Sequence, residues 1–268
     1  MNWKNLSFAA AAAGAATLVY GALYESKRLV LEKQTLPLPH WPRRLEGFRI
    51  AVIADLHLRD KYSLELAQRA IAMALDESPD MVALVGDYVG YWKAESPWLL
   101  GEALEPLMGM MGNVVAVPGN HDYWLGTAAW LGPIMDEFNI KLLRNEHYEH
   151  EGITWVGIDS LNAKMANPYH ALLHIHKKPQ VVLWHEPDAV DYLPKGSSLM
   201  LSGHSHGGQF RFPGGFTPMH TDNGRRYVRG FYPDAPTPLY VSRGVGTTGP
   251  PSRFLCPPEV SLLTLVSA

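Results

Sequence analysis

Residues 49–57 read RIAVIADLH, an apolar and β-branched run that ends in an aspartate and a histidine two positions apart. Such a run predicts a buried strand, and side chains at positions i and i+2 beyond it point to the same side of the turn. Asp55 and His57 are therefore expected to reach one common point. Carboxylate oxygens and imidazole nitrogens both bind metal ions, so this stretch predicts metal ligands at a strand end.

Four further segments place polar side chains directly after an apolar run. They are residues 81–87 (MVALVGD), 114–122 (VVAVPGNHD), 181–185 (VVLWH) and 199–206 (LMLSGHSH). Strand ends are where open α/β sheets carry their chemistry. The candidate metal ligands from the five segments are Asp55, His57, Asp87, Asn120, His185, His204 and His206. This set exceeds the four ligands of one zinc ion and suits two five- or six-coordinate cations.

Two cations bound by this ligand set would form a centre that can hydrolyse phosphate esters. Two cations about 3.5–4 Å apart lower the pKa of a shared water, giving an activated hydroxide, and clamp the oxygens of an in-line phosphoryl displacement. Asp87 has two carboxylate oxygens and is expected to bridge both ions, while Gly86 lets the backbone approach closely. A lone Gly-Asp pair is usually a turn. The occurrence of all five segments, each after a predicted strand, favours a dinuclear centre.

The rest of the pattern predicts an α/β chain in which helices and strands alternate early and strands dominate later. Helical spacing of apolar residues predicts helices over residues 64–75, 98–111 and 128–138. Apolar runs predict further strands over residues 153–158, 239–242 and 259–266. This order argues for two packed sheets with helices on the outside.

Composition fits one sizeable domain and argues against several classes of protein. The chain has 268 residues, 47% of them hydrophobic, and a net charge of -3. This charge gives no reason to expect a nucleic-acid partner. Cys256 is the one cysteine, so no intrachain disulfide is possible, and we expect it to be a small core residue. A reducing compartment and a cysteine-poor exported protein both agree with that count.

Residues 6–24 carry no charge and consist mainly of alanine with larger apolar residues. A helix of this span is about 28 Å long, close to the roughly 30 Å hydrocarbon core of a bilayer. Basic residues follow at Lys27, Arg28, Lys33, Arg43 and Arg44. The positive-inside rule then predicts a single anchor in the inner membrane, with the catalytic domain on the cytoplasmic face. A cleaved signal peptide and a surface-lying or buried alanine-rich helix are the alternatives.

The segment after this helix is rich in proline. Residues 35–42 read TLPLPHWP, which predicts a linker between anchor and domain. The predicted organisation is therefore an anchor helix over residues 1–26, a linker over 27–47 and one catalytic domain over 48–268.

Taken in order, the five segments resemble the motifs of the calcineurin-like metallophosphoesterase superfamily over residues 48–266. The resemblance implies an α/β fold, a four-layer αββα sandwich with two mixed β-sheets, here preceded by an N-terminal hydrophobic helix. It implies that the first ion is bound by Asp55, His57 and His206, and the second by Asn120, His185 and His204, with Asp87 shared. It also implies that His121 contacts the phosphate and protonates the leaving oxygen, and that Asp122 orients His121.

A narrower resemblance lies nearer the C-terminus. Residues 203–213 (GHSHGGQFRFP), 240–251 (YVSRGVGTTGPP) and 253–259 (RFLCPPE) are similar to a membrane-anchored bacterial phosphodiesterase subgroup. That subgroup includes a UDP-2,3-diacylglucosamine pyrophosphatase of lipid A synthesis, which implies a lipid-linked or nucleotide-linked phosphodiester substrate at a membrane. The alternatives are a broad-specificity phosphodiesterase or phosphatase with another substrate, and a membrane-tethered metal-binding module without activity.

Several residues outside the five segments are candidates for substrate contact. Arg243 lies at a predicted strand end among glycines and is expected to hold a second phosphate, with Arg211, Arg225, Arg226 and Arg253 as weaker candidates. Three interpretations are open for a set of large apolar residues: an acyl-chain groove, a membrane-facing rim or the core. The set consists of Trp92, Trp98, Leu99, Leu100, Met108, Met110, Met111, Trp124 and Trp130. His170, His174 and His176 fit no ligand spacing and are expected in loops or on the surface. The Asp, His and Asn donors accept Mn²⁺, Fe²⁺, Zn²⁺ or Co²⁺, and their oxygen content favours Mn²⁺.

Overall fold

The computed structural model of the chain describes residues 3–175 and 179–268. Two mixed β-sheets form its centre. The first sheet contains, in spatial order, β1 (Val30–Leu38), β12 (Glu259–Ser267), β2 (Phe48–Ile53), β3 (Met81–Val85), β4 (Val114–Val117) and β5 (Lys141–Leu142). The second contains β10 (Gly230–Tyr232), β11 (Leu239–Val241), β9 (Leu199–Ser202), β8 (Gln180–Trp184), β7 (Ile153–Ile158) and β6 (Glu146–His150).

The strands that precede the candidate ligands are parallel within each sheet. In the first sheet β2, β3 and β4 pair in parallel, and in the second sheet β7, β8, β9 and β11 do so. Their residues are buried without alternation, as expected for parallel strands covered on both faces. Parallel pairing sends the carboxyl ends of neighbouring strands to the same edge, which is where the polar segments emerge.

Helices cover the two outer faces of the sandwich. The α-helices are α1 (Trp3–Leu23), α2 (Lys61–Asp76), α3 (Ser96–Leu104), α4 (Leu131–Glu137) and α5 (Pro168–Ala171). An apolar cluster packs α2, α3 and α4 against the first sheet, and a second cluster packs α5 and the 3-10 turn Pro187–Tyr192 against the second sheet. The four-layer αββα arrangement predicted from the resemblance is confirmed.

A dry interface joins the two sheets. Side chains such as Ile50, Val52 and Val115 from the first sheet pack against Trp155 and Leu183 from the second, and all are fully buried. Burial of this apolar surface is the main favourable term for association of the sheets, at roughly 25 cal/mol for each Å² removed from water. The interface therefore holds the strand ends of the two sheets at a fixed separation. We call the polar segments that follow these strand ends the polar edge, and each sheet contributes one half of it.

The predicted linker over residues 27–47 is wrong for the part that forms β1. Val30–Leu38 pairs in parallel with β12 along its whole length, and Leu36 and Leu38 are fully buried. Pro37 is tolerated because β1 is an edge strand, which hydrogen-bonds on one side only. The proline-containing segment therefore begins as an edge strand of the first sheet and not as a linker. The strands named above and the helix predicted over residues 64–75 are confirmed to within a few residues. The helices predicted over 98–111 and 128–138 each combine an α-helix with a 3-10 helix, which is Glu105–Met110 in the first and Ala128–Trp130 in the second.

The alanine-rich segment predicted as an anchor forms α1, and the end of this helix contacts the domain. Ser252 Oγ donates to the carbonyl of Leu18 at 3.0 Å, and the Arg253 N–H donates to that of Gly21 at 3.4 Å. A Cβ on Gly21 would collide with this loop, so helix and loop are in direct contact. Across residues 3–175 and 179–268, no helix combines the length and the apolar character that crossing a bilayer requires.

The tightness of the interface between the sheets can be tested at Gly157 in β7. A Cβ there would clash with Leu143, lying 2.9 Å from its carbonyl oxygen and 3.0 Å from Val117 Cγ1. We expect Gly157→Ala to lower the free energy of unfolding by about 1–3 kcal/mol, because overpacking strains a close-packed core. Urea denaturation measures this change.

Gly132→Ala in α4 is the matched control, since a Cβ there meets nothing within 4 Å. This control should be neutral or gain up to about 1 kcal/mol from helix propensity. Equal urea midpoints for the two variants would contradict the close packing proposed for Gly157.

Candidate metal centre

The strands that lead into the site end in strained backbone. Among the candidate ligands φ is 56° at Asp55, 47° at His57, 56° at Asp87, 66° at His204 and 50° at His206. Non-glycine residues adopt this left-handed region at a cost of order 1–3 kcal/mol, and such residues cluster at functional sites. The sharp turn at each strand end directs the five side chains toward one volume between the two sheets.

Glycines beside these residues make room for the carboxylates. A Cβ on Gly119 would collide with the carboxylate of Asp87, and one on Gly203 would lie 2.6 Å from Asp55 Oδ2. These close approaches explain why a glycine precedes the ligand in the Gly-Asn-His-Asp and Gly-His-Ser-His segments.

The first group of donors consists of Asp55, His57 and His206, which are almost completely buried. The Nε2 atoms of His57 and His206 face each other at 3.0 Å, and His206 Nε2 lies 3.5 Å from Asp55 Oδ1. Adjacent ligands of a single cation at 2.0–2.1 Å are themselves about 3 Å apart. The spacing of this group therefore fits one shared cation.

The second group consists of Asp87, His185 and His204, with Asn120 beside them. His185 Nε2 lies 3.2 Å from Asp87 Oδ2, and the same carboxylate oxygen lies 3.5 Å from His57 Nε2 of the first group. Asp87 thus stands between the two groups. Asn120 Oδ1 and His185 Nε2 are buried and have no hydrogen-bond partner among the described residues. Buried polar atoms without partners are costly, and a cation would satisfy both.

Backbone carbonyls fix the tautomers of two imidazoles in this group. His185 Nδ1 lies 2.6 Å from the carbonyl of Val85, and His204 Nε2 lies 2.7 Å from that of Asp222. Each of these nitrogens carries the proton, because a carbonyl oxygen can only accept. In the neutral imidazoles the lone pair is left on His185 Nε2 and on His204 Nδ1, which is the arrangement that metal-binding histidines require.

Burial and mutual charge set the protonation of the cluster. Burial raises the pKa of Asp55 to about 7. Burial also opposes ionisation of Asp87, but the positive charge of His185 brings the pKa of Asp87 well below its usual range. Burial opposes the charged form of His185, yet Asp87 and Asp55 raise the His185 pKa well above its ordinary value. Burial lowers the pKa of His57 and His206, so both stay neutral, as metal ligands must be.

His121 lies beside the two groups, at the wall of a cavity of about 980 Å³. Its Nδ1–H donates to the Gly90 carbonyl at 2.7 Å, and the ring of Trp124 stacks on it with 3.6 Å between centroids. Because Nδ1 is occupied, Nε2 is the nitrogen of His121 that remains for the cavity.

The prediction that Asp122 orients His121 is wrong. The Asp122 carboxylate accepts hydrogen bonds from backbone N–H groups at 2.8–3.3 Å, donated by Gly119, Asp87, Tyr88 and Val89. It therefore joins the turns after β3 and β4. The Gly90 carbonyl does the orienting instead, and Asp122 acts on His121 only through the backbone that leads to Gly90.

The prediction that Arg243 binds a phosphate also disagrees with the structure. Arg243 is largely buried, its Nε–H donates to Glu259, and its Nη2 donates to Glu32 Oε2 at 3.1 Å. The described residues that line the cavity do not include Arg243. Two carboxylates already neutralise this guanidinium, so it ties β1 and β12 to the end of β11.

The other predicted arginines divide into three kinds. Arg253 is fully buried, and its side chain donates to the backbone carbonyls of His206, Arg243, Gly244, Gly246 and Cys256. Arg225 lines the cavity, as does Lys164. Arg226 is exposed and pairs with Asp191 at 2.8 Å, and Arg211 is half-buried.

The predicted apolar groove is not one surface. Trp92, Leu99 and Leu100 belong to the core, and Trp98 and Met108 line a separate surface pocket. Trp124 lines the cavity, whereas Trp130 and Met111 are exposed elsewhere and Met110 is half-buried. Cys256 is buried, as predicted, and His170 and His174 are exposed. His176 lies outside the described residues.

Two residues missed by the sequence reasoning support the second group. Glu186 is fully buried and accepts hydrogen bonds from Ser160 Oγ at 2.5 Å and from the Asn162 N–H at 3.1 Å. Asn162 Nδ2 in turn donates to the Asp222 carbonyl at 3.0 Å, the same carbonyl that holds His204. The position of Glu186 directly after His185 was the available signal, whereas Asn162 follows no motif.

The corrected role of Asp122 yields a stability prediction. Asp122→Ala removes the acceptor of the four N–H groups, and each buried donor left unpaired costs about 1–3 kcal/mol. We expect metal-free Asp122→Ala protein to lose about 3 kcal/mol or more of unfolding free energy in urea. His121→Ala removes one hydrogen bond and should lose about 1 kcal/mol. Similar losses for both variants would show that Asp122 serves His121 rather than the turns.

Comparison with known proteins identifies the family of the chain. The family model of calcineurin-like phosphoesterases matches residues 48–208. A protein of Bacillus subtilis (strain 168) named "Uncharacterized metallophosphoesterase YkuE" is 31% identical, with 97% of this chain and 95% of that protein covered. "Phosphodiesterase YaeI" of Escherichia coli (strain K12) is 32% identical, with 82% of each covered.

A third relative extends well beyond the matched region. The "Transmembrane protein with metallophosphoesterase domain" of Danio rerio is 28% identical over 93% of this chain and 60% of its own length. The match to the family model includes Asp55, His57, Asp87, Asn120, His185, His204 and His206. The chain belongs to the calcineurin-like phosphoesterase family, whose members are metal-dependent hydrolases of phosphate esters.

Proposed function

We propose that the protein is a two-metal phosphodiesterase or pyrophosphatase whose substrate is a nucleotide-sugar lipid at a membrane, such as UDP-2,3-diacylglucosamine. The observation that carries the proposal is the position of Asp87 between two buried donor groups at the wall of a large cavity. We assign Asp55, His57 and His206 to one cation, Asn120, His185 and His204 to the other, and Asp87 to both. Mn²⁺ is the favoured ion for this mixture of oxygen and imidazole donors.

Bound divalent cations would supply Lewis-acid stabilisation of the phosphoryl oxygens and an activated water. The chain's own residues complete the chemistry. His121 is positioned by the Gly90 carbonyl, and protonated His121 would donate from Nε2 to the oxygen that leaves. Asp122 fixes the turns that carry Asp87 and Gly90, so it keeps His121 and the shared carboxylate in register.

The size and lining of the cavity support a diester over a simple monoester. A volume of about 980 Å³ leaves room for groups on both sides of a phosphorus atom next to Asp87. Lys164 offers positive charge for a second anionic group, and Arg225 lines the same cavity while its guanidinium pairs with Asp222 at 2.9 Å. The Escherichia coli relative carries the name phosphodiesterase, which agrees with this choice.

A membrane location is part of the proposal. Residues 6–24 of the chain are uncharged, and basic residues follow, which favours the cytoplasmic face of the inner membrane. The relative from Danio rerio is named a transmembrane protein, which supports an association of this domain with membranes. Trp124 next to His121 gives the cavity an apolar wall on which part of a lipid-linked substrate could rest.

Two alternatives remain distinct from the proposal. A broad-specificity phosphodiesterase or phosphatase would use the same centre on another substrate, and a membrane-tethered binding module would hold metal without turnover. All the predicted metal donors are present and buried, and this favours an enzyme over a module. Buried polar groups without partners lower stability, and a protein that keeps them is expected to use them in a functional site.

The assignment of Asp87 and His121 makes a prediction that separates metal binding from turnover. Asp87→Ala should lose bound Mn²⁺ and hydrolysis of a chromogenic phosphodiester together. His121→Ala should keep its Mn²⁺ but lose about 10²–10⁴-fold in turnover, as expected for a general acid. Elemental analysis and rate measurements check both, with Arg226→Ala as the surface control. Full turnover in His121→Ala would remove its assigned role, and absence of turnover in every form would favour the binding module.

The lipid substrate makes a separate prediction. Depletion of the protein from its native cells should cause a UDP-linked diacyl sugar to accumulate, and lipid mass spectrometry can detect it. A protein with Asp87→Ala should fail to reverse the accumulation, whereas Arg226→Ala should reverse it. An unchanged lipid profile would leave phosphodiester hydrolysis in place and exclude this substrate.

A further inference from the structure

An aromatic cluster joins the end of α1 to two loops. One loop follows His206, and the other contains Phe254. The ring of Phe254 lies 6.1 Å from that of Tyr20 in α1 and 5.4 Å from that of Phe212. The ring of Phe212 continues the contact to Phe216 at 6.3 Å, and Tyr20 continues it to Tyr24 at 5.4 Å. These centroid distances are those of packed aromatic pairs, so the five rings form one continuous surface feature.

Much of this feature faces solvent. The exposed fraction is 65% for Phe216, 56% for Tyr24 and 51% for the neighbouring Leu255. The exposed apolar surface continues along α1 through Leu18, Val19 and Leu23. Scattered single apolar side chains are normal on a protein surface, but a contiguous patch of this kind marks a binding surface. We call the set Tyr20, Tyr24, Phe212, Phe216 and Leu255 the aromatic rim.

Two arginines without an ion partner accompany the aromatic rim. Arg211 directly precedes Phe212, and its guanidinium approaches Gly215 in the same loop. Within the described part of the chain, neither Arg211 nor Arg229 pairs with a carboxylate. Arg229 directly precedes strand β10, and burial together with the positive charge of Arg211 lowers its pKa. An anionic partner would relieve this repulsion.

The aromatic rim is connected to the wall of the cavity. Gln209 follows His206 by three positions, and its side chain donates to the Thr248 carbonyl at 2.8 Å and accepts from the Thr248 N–H at 3.1 Å. The Gln209 carbonyl also accepts from the Phe254 N–H at 3.0 Å. Thr248 and His206 both line the cavity. A surface that rests against the aromatic rim is therefore held next to the cavity.

We propose that the aromatic rim, together with Arg211 and Arg229, is a docking surface for an anionic lipid bilayer. Aromatic rings favour the boundary between headgroups and acyl chains, and arginines attract anionic headgroups. The exposed apolar side chains Leu18, Val19 and Leu23 of α1 extend the same surface, and residues 6–23 of this helix carry no charge, which suits a lipid interface better than a nucleic acid or a polar protein surface. The inference rests on the proposed function only in giving docking a purpose, which is to bring the cavity to a membrane-resident substrate.

Co-sedimentation of the full chain with lipid vesicles tests the docking surface. The wild-type chain should bind vesicles of phosphatidylcholine mixed with phosphatidylglycerol more tightly than vesicles of phosphatidylcholine alone. Each basic residue near an anionic surface contributes about 1 kcal/mol, so Arg211→Ala with Arg229→Ala should weaken binding to the anionic vesicles about 25-fold. Phe216→Ser with Leu255→Ser should weaken binding to both kinds of vesicle.

Matched pairs distant in sequence from the aromatic rim serve as controls. Arg69→Ala with Lys141→Ala removes two exposed basic side chains, and Tyr169→Ser with Leu173→Ser removes two exposed apolar side chains. Both pairs should bind vesicles like the wild type. The proposal is overturned if the wild type binds neither vesicle, or if the control pairs lose as much binding as the rim variants.

Hydrolysis of a soluble chromogenic phosphodiester distinguishes this inference from the proposed function. The rim variants should keep the wild-type rate and the wild-type urea midpoint, because none of their side chains lines the cavity. A wild type that binds vesicles but hydrolyses nothing would contradict the proposed function and leave the docking surface standing. A rim variant that binds vesicles fully would contradict docking, whatever its rate.

Discussion

The Asp87 carboxylate, which lies 3.2 Å from His185 Nε2 and 3.5 Å from His57 Nε2, is the point on which the polar edge depends. It comes from the first sheet, as His57 does, whereas His185 comes from the second. Burial of a carboxylate is expensive unless positive charge compensates it. The sandwich therefore has to bring two sheets together at a fixed distance before this charge becomes tolerable, and the apolar interface between the sheets supplies that constraint.

The supporting hydrogen bonds explain how the edge keeps its strained backbone. Asp122 collects N–H groups from the turns after β3 and β4, and Arg253 donates to carbonyls of the loops that contain His206 and Gly246. Asp122 therefore fixes the turns of the first sheet, and Arg253 fixes the loops of the second sheet. Glu186 and Asn162 do the same for the loop that holds His204. Positive φ at the ligands persists because these networks leave the turns no relaxed alternative.

The sequence allowed prediction of the strands and of the donors that converge, because both signals are local. A buried parallel strand is an unbroken apolar run, and its ligand follows within a few residues. The roles of Asp122 and Arg243 escaped because their partners are distant: Arg243 pairs with Glu32, 211 positions away in the chain. Strand β1 was not predicted because a proline such as Pro37 is typical of a linker. Proline is compatible with a strand only at the edge of a sheet, and the position of β1 at an edge is not visible in the local sequence.

One residue ties the position of α1 to the metal centre. The backbone N–H of Arg253 donates to the Gly21 carbonyl of α1, and its side chain donates to the carbonyls of His206 at 3.4 Å and of Gly246 at 3.1 Å. The loop that receives the helix is thus the loop that fixes the backbone of a candidate ligand. The same loop contributes to the aromatic rim, because Phe254 packs on Tyr20 and Leu255 is exposed beside it. In this fold the surface that would meet a bilayer and the centre that would cut a phosphodiester are joined by one set of hydrogen bonds.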